Sequence, residues 1–333
     1  MCAAGLAGSA LAFPAIMEEA LEKGRKAGKD AKRALGVNPG FDAASQLIDV
    51  HGSHAWQAPC TKDLRGPCPG LNALANHGNN YLIQMSQWKD LYSTQAGVSD
   101  AESNFDLGVL TSFRAKRLQQ SLDNNPYFFN GPFSGIAVQP AAYTFMYRFM
   151  ANHSAENPAG QLTKSVLKSF FAITGTDDNP VYTPGYKKIP ENWYRRSKTD
   201  EYSIPFFLDD LIAAAITYPQ FLSVGGNTGT TNSFTGLDIT NFAGGVYSTS
   251  TLLQGNNLQC FVFQAAQQAA PDLVKNVFSD VTSALIRLNN VIDNVLSGLG
   301  CPQLKSIDQS QFSKFPGYTG NKTCWKISAE GKM

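Results

Sequence analysis

This sequence is short of charge. Lys, Arg, Asp and Glu make up 16% of its 333 residues, against about 25% in an average soluble domain. The 27 basic residues nearly cancel the 26 acidic ones, so no global field exists to hold a nucleic-acid backbone or an anionic membrane. Long hydrophobic runs are also missing. The longest, such as Leu211 to Ile216, fall far short of the roughly 20 residues that cross a bilayer. No Cys-x-x-Cys pair occurs, which leaves a structural zinc site without support. The six cysteines, Cys2, Cys60, Cys68, Cys260, Cys301 and Cys324, are too sparse for a dense disulfide framework. No segment alternates apolar and polar residues convincingly with period two. The chain does have 43% hydrophobic and 11% aromatic residues, enough to exclude a disordered chain and to bury a core.

The ends of the chain suggest export. Ala3 to Leu11 are small and apolar, and Ala10-Leu11-Ala12 is a small-x-small cleavage pattern before Phe13, so residues 1–12 are expected to be a signal segment. The run has no Lys or Arg ahead of it. Two Asn-x-Ser/Thr sequons, at Asn152 and Asn321, are the expected glycosylation sites of a secreted chain. In such a chain Cys301 and Cys324, both in a Pro/Gly-rich tail, are the expected disulfide. The histidines, His51 and His54 among them, are expected in loops.

Helical periodicity dominates. Residues 15–35 form a polar amphipathic pattern that Gly36 and Pro39-Gly40 end. A short helix is expected from Pro69, and longer ones over 79–95, 103–122, 135–151 and 162–173. Leu107, Leu110, Phe113, Leu118 and Leu122 in one, and Leu162, Val166, Leu167, Phe170 and Phe171 in another, follow i, i+3, i+4 patterning. After a Pro-rich loop from Thr174 to Lys198, a helix is expected over Asp209 to Tyr218. Gly225 to Gly245 reads as loop. Two further helices are expected, over 246–268 and over Asp272 to Leu296 behind Pro271. The layout is an extension over 13–44, a mainly helical domain over 45–300 with no linker inside it, and a tail over 301–333.

One stretch carries chemistry. Cys68 lies between Pro67 and Pro69, just before the helical run of Leu71 and Leu74. Pro69 suits the first helical position and Pro67 stiffens the approach. The sulfur therefore sits at a helix N-terminus, where the macrodipole and free N–H groups favour an anion and lower a thiol pKa. A thiolate held there can serve as nucleophile, redox sensor or metal ligand. The plain alternative is a Cys60–Cys68 disulfide in a secreted helical protein with no cofactor.

Arg65-Gly66-Pro67-Cys68-Pro69-Gly70-Leu71-Asn72, then Ala75-Asn76-His77-Gly78, closely resembles the proximal motif of the fungal haem-thiolate peroxidases, the chloroperoxidase and unspecific peroxygenase type. Asn125-Pro126-Tyr127-Phe128-Phe129, the stretch 140–152, Ile189 to Arg196 and Tyr218 to Thr230 resemble ascomycete members, and the likeness spans roughly 45–300. The resemblance implies an all-α fold, a single chloroperoxidase-like helical domain with long loops. It implies one haem b per chain, with Cys68 as axial ligand to the iron and Pro67, Pro69, Leu71 and Asn72 in the cofactor-binding motif. Hydrogen peroxide and a small apolar or aromatic substrate, or a halide, would be the reactants of a secreted monomer. A thiolate ligand donates electron density to iron and favours O–O cleavage.

The pattern breaks in two places. In the family the motif ending in His-Gly leads into several dozen residues that carry a Glu-x-Asp motif with a Ser and hold a divalent cation. Here His77-Gly78 runs straight into Asn79-Asn80-Tyr81-Leu82, which resembles the family's sequence on the far side of the absent segment, and no cation site is assigned. The peroxygenase branch also carries an Arg and a proton-shuttling Glu after the Asn-Pro landmark. The corresponding Phe133 to Tyr143 has neither; Gln139 can hydrogen-bond peroxide but cannot carry its proton, and Glu156 is the nearest acid downstream. No distal acid is identified. An impaired peroxidase, a non-catalytic haem binder and a truncated gene product all fit. Phe133, Ile136, Tyr143 and Phe145 are expected in the core rather than along a substrate channel. The pairs Lys187-Lys188 and Arg195-Arg196 are expected on a solvated loop face.

Overall fold

The computed structural model describes residues 41–55, 85–248, 250–252, 254–274, 293 and 296–319. Their helices in chain order are α1 (Ala43–Gln46), α2 (Met85–Tyr92), α3 (Leu107–Asn124), α4 (Gln139–Met150), α5 (Lys164–Phe171), α6 (Ile204–Thr217), α7 (Ile239–Phe242), α8 (Asn257–Val274) and α9 (Pro316–Thr319). The strands are β1 (Phe129–Asn130), β2 (Ile173–Gly175), β3 (Pro180–Tyr182), β4 (Gly225–Gly226) and β5 (Thr235–Gly236). A seven-residue π-helical turn, Pro132–Val138, runs directly into α4. None of the described helices is long and apolar enough to cross a membrane. The fold is mainly helical, as expected, and strands of two or three residues are too short to leave an alternating pattern.

The chain divides into two compact units. Among the described residues, one takes those from Phe41 to Arg114 together with Ala142–Ser203. Its core gathers Trp88 and Tyr92 of α2, Phe105, Leu110 and Phe113, then Leu162, Leu167, Phe170 and Trp193. Helix α5 shows why the sequence folds this way. Thr163 caps it by accepting the Val166 N–H, Ala172 closes it in the left-handed region at φ 59°, and Val166, Leu167 and Phe170 are buried on one face. Trp193 donates its indole N–H to the Met150 carbonyl at 2.9 Å, which draws the Pro-rich loop into the core. That loop also holds the β2–β3 hairpin, with Ile173 opposite Tyr182. Lys187, expected on a solvated face, is buried, whereas Lys188 is exposed.

Two polar groups in this unit are worked into the fold. Buried Lys164 donates to the Val98 carbonyl at 2.7 Å and pairs with Asp177 at 3.3 Å. Asp177 also accepts from Lys168 and from the Tyr92 hydroxyl, each at 2.7 Å. Those hydrogen bonds hold its carboxyl down at about 2. His153 is 2% exposed. Its Nδ1 lies 2.9 Å from the Pro158 carbonyl, which can only accept, so the proton sits on Nδ1. Burial pushes its pKa below the ordinary histidine value. The neighbouring Asn152 is half-buried, and its Oδ1 accepts the Tyr194 N–H at 2.8 Å.

The other described unit takes Ala115–Ala141 and the chain from Ile204 onward. Its main core includes Ile136, Leu211, Val224, Phe242, Phe261 and Phe312. Helix α6 starts at Ile204, earlier than the expected Asp209, and ends at Thr217 just ahead of Pro219. The stretch expected as loop, 225–245, instead carries β4, β5 and α7. Phe129 pairs with Gly226, and Gly225 pairs with Gly236, in the sheet order β1-β4-β5. Glycine is required there by space: a Cβ on Gly226 would lie 2.4 Å from the Phe128 carbonyl oxygen.

Two corrections concern the end of this unit. The helix expected over 246–268 begins only at Asn257 and continues to Val274, so Pro271 lies inside α8 and does not open a new helix. A turn precedes it, in which Ser248 N–H donates to Thr251 Oγ1 and Gly255 adopts φ 53°. Most of the expected final helix falls outside the described residues. The expected Cys301–Cys324 bond is also overturned: Cys301 pairs with Cys260 of α8, with Cα atoms 5.5 Å apart. The reason is that the segment after Gly300 lies along α8. Gln264 donates to the Pro302 carbonyl at 2.9 Å and Gln268 to the Leu304 carbonyl at 3.0 Å, which sets Cys301 beside Cys260.

Gly226→Ala is expected to cost about 1–3 kcal/mol, the range for inserting volume into a packed site, in urea unfolding. Gly298→Ala, where a Cβ meets nothing within 4 Å, should cost nothing. His153 supplies a pH test. Its pKa is lowered in the fold, so the unfolded chain binds the proton first. Stability is full above the unfolded value of about 6.5 and declines as pH falls below it. His153→Asn, which keeps a donor for the Pro158 carbonyl, should flatten that decline in melting curves between pH 7 and pH 5.

Candidate active site

Pro67, Cys68, Pro69, Leu71 and Asn72 lie outside the described residues, as do Cys60, Cys324 and Asn321. The described part of the candidate site is the stretch from the Asn125-Pro126 landmark to α4.

The landmark is a built turn. Asn125 Oδ1 accepts the Tyr127 N–H at 3.0 Å and its carbonyl accepts the Phe128 N–H at 3.0 Å. Fully buried Asn227 then clamps the turn. Its Nδ2 donates to the Leu122 and Asn125 carbonyls at 2.9 and 2.7 Å, and its backbone N–H to the Phe128 carbonyl at 2.8 Å. The chain leaves along β1 and enters the π-helical turn. Gly135 sits where a Cβ would lie 1.8 Å from Asn130 Oδ1. Asn130 is itself buried and donates to the Ser223 carbonyl at 2.9 Å. A π-helical turn is a costly irregularity that concentrates at functional sites.

The four aromatic and aliphatic candidates separate. Ile136 is 1% exposed in the core, with Phe133 packed partly against the same cluster. Tyr143 packs partly against the core of its own unit, its ring 6.5 Å from Phe113. Phe145 departs from expectation: it is 37% exposed. It meets Phe149 edge-on at 5.1 Å and Tyr202 at 6.0 Å, and Arg148 and Arg196 lie over the Tyr202 ring. The i, i+4 spacing of Phe145 and Phe149 predicts a shared face, but not that the face is exposed.

No acid turns up here to move a proton. Gln139 opens α4 and is half-buried. Glu156 is exposed, and hydrogen bonds from its own backbone N–H and from Ser154 hold its pKa down, opposite to a poised general acid. Among the described residues, Asp209 of α6 is a carboxyl whose pKa is pushed up, by desolvation and by neighbouring Asp210, yet its residue remains exposed. The sequence hides it because paired acids on a helix usually face water. Among the described residues no group of three His, Cys, Asp or Glu could hold a metal ion. Arg114 of α3 is buried without any local signal for it; burial brings its guanidinium down to about 10.

The profile of the family described as "Peroxidase, family 2" matches residues 54–82 and 78–198. The match thus comes in two pieces that meet at the point where the motif ends. The dothistromin biosynthesis peroxidase dotB of Dothistroma septosporum is 34% identical over 405 positions, covering 95% of this chain and 97% of that protein. Those positions outnumber the 333 residues of the chain, so several dozen of them face gaps here. The aromatic peroxidase fscJ of Fusarium equiseti is 29% identical over 379 positions, covering 83% of this chain and 86% of its own. On these matches the chain belongs to peroxidase family 2, the fungal chloroperoxidase-type peroxidases, and is an oxidoreductase that uses hydrogen peroxide on an organic substrate.

Proposed function

We propose that the chain is a haem-thiolate peroxidase in which Cys68 holds the iron, and that it turns over slowly because a segment after Gly78 is absent. The observation that carries this is the two-piece family match, with residues 54–82 holding the Pro-Cys-Pro motif and its second piece starting again at 78. The donor set suits the cofactor. A cysteine at a helix start is disposed to be a thiolate. The described core also has a spare donor, the indole N–H of Trp88, which is 4% exposed and makes no hydrogen bond. When bound, a thiolate-ligated haem supplies the O–O cleavage chemistry.

The chain's own residues do the rest. Pro67 and Pro69 flank Cys68 in the sequence and narrow the backbone choices on either side of it. Between Phe133 and Tyr143 the π-helical turn and the start of α4 offer Ser134, which is exposed, and Gln139, which is half-buried, as side chains able to hydrogen-bond a peroxide oxygen. Gln139 can orient that oxygen but cannot take its proton and return it to the leaving oxygen. The names of the relatives, one acting in dothistromin biosynthesis and one called an aromatic peroxidase, favour an aromatic substrate for this chain. Secretion, haem b and a monomeric state belong to the same proposal. A second reading, a haem binder without turnover, is favoured by the lack of any carboxylate from Phe133 to Tyr143.

Purified protein should bind one haem, and its ferrous–CO complex should show the red-shifted Soret band of thiolate ligation. Cys68→Ala should lose that band; an unchanged band would remove Cys68 as ligand. Turnover of a phenolic donor with peroxide should be about 10²–10⁴-fold below that of a full-length relative, the usual cost of losing a general acid/base. A rate within tenfold of the relative would refute impairment. Sequencing the transcript across Gly78–Asn79 distinguishes a shortened gene model from a shortened protein.

A further inference from the structure

The segment after Gly300 is a strap across one unit, and its covalent anchor among the described residues borders an open cavity. Cys260 is buried in α8 at 1% exposure, whereas Cys301 is only partly buried. Cys301 lines a cavity of about 380 Å³ together with Gln264, Gln267, Asp293, Ser297 and Gln303. The cavity is polar and wide enough for a small thiol to enter. Cys301 borders it and Cys260 does not.

The strap beyond that anchor holds the segment leading to the candidate site. Phe312, Phe315 and Tyr318 surround the Phe129 ring of β1, with centroids 5.3, 5.3 and 5.4 Å away. Gly317 lies so close under the chain that a Cβ there would be 1.9 Å from the Tyr127 carbonyl oxygen. Three glutamines of α8 and the strap add hydrogen bonds: Gln264 to the Pro302 carbonyl, Gln268 to the Leu304 carbonyl and from the Ile307 N–H, and Gln309 to the Gln268 carbonyl. These bonds are individually modest, since each replaces a bond to water. The covalent anchor adds to them by keeping the start of the strap beside α8 at high effective concentration.

We propose that Cys260–Cys301 is a redox latch, opened by a dithiol that reaches Cys301 through the cavity. One thiolate of the dithiol attacks Cys301 Sγ, and the Cys260–Cys301 bond breaks, with Cys260 leaving as a thiolate that takes up a proton. The second thiol of the reductant then displaces Cys301 Sγ from the mixed disulfide. The dithiol ends as its own disulfide, two electrons pass to the protein, and both cysteines end as thiols. Opening the latch frees the strap to leave β1, and with it slackens the entry to the π-helical turn.

The test uses the full chain without denaturant. Dithiothreitol should reduce the bond, read as labelling of Cys260 and Cys301 by a maleimide in peptide mapping. Tryptic cleavage after Lys305 and Lys314, both in the strap and exposed, should then speed up at least tenfold. Cleavage after exposed Lys198 in the other unit should not change. Reoxidation should restore the slow rate, and Cys301→Ser should be cut fast with or without reductant. A bond that yields only in denaturant, or reduced protein cut at the oxidised rate, overturns the latch. The readout does not use haem or turnover, so it stands or falls apart from the peroxidase proposal.

Discussion

Asn227 is the constraint on which the described part of the site depends. One side chain amide, wholly out of solvent, joins the last turn of α3 to the Asn125 turn, while its backbone N–H reaches the Phe128 carbonyl. It satisfies the Leu122 carbonyl, one of those a helix leaves open at its C-terminal end. It also aligns Gly226 with Phe129, so the three-stranded sheet and the π-helical turn beyond it inherit their positions from this contact. A side chain without the amide here would take one donor from each of two carbonyls, leaving Leu122 with the Asn232 N–H alone and Asn125 with the Phe128 N–H alone.

That arrangement explains the glycines of the Val224-Gly225-Gly226-Asn227-Thr228-Gly229 stretch. A phosphate cradle would leave their N–H groups pointing into open space. Here Gly225 and Gly226 are pressed against backbone, with Thr235 on one side and Phe128 on the other. Neighbouring Gly229 donates its N–H to the Pro126 carbonyl at 3.2 Å. The stretch is an internal joint whose lack of side chains lets three strands meet.

Much of the helical framework is legible in the residues alone. The apolar spacing over 103–122 and 162–173 marks Leu110, Phe113, Leu118, Leu162, Val166, Leu167 and Phe170, which are buried, and Leu107, Leu122 and Phe171, which are only half-buried. The Pro-Cys-Pro context points to the family, because the eight residues Arg65–Asn72 with the four residues Ala75–Gly78 are far more specific than any periodicity. The features that stay hidden depend on long-range contact. Cys260 looks like one more small apolar residue in a helix, and nothing local ties it to a partner 41 residues away. Pro271 reads as a helix start by its own preference, yet α8 carries through it. His153 sits in a loop, as expected, but its burial comes from tertiary packing. The exposure of Phe145 is equally invisible to spacing, which gives a residue's neighbours on its helix but not the groups that cover them.

The strap gives the chain a direction in time. The rings that enclose Phe129 come from residues 312–318, far down the sequence from β1, and such distant pairings form slowly because a long loop must close first. During synthesis from the N-terminus, β1 and its π-helical turn emerge early and must wait for Phe312, Phe315 and Tyr318 to be made. Until then the Phe129 ring has no cover and the edge of β1 is a site for wrong pairing. The interval between the emergence of β1 and the docking of the strap is therefore when this protein is most exposed to aggregation, and when a chaperone would matter most.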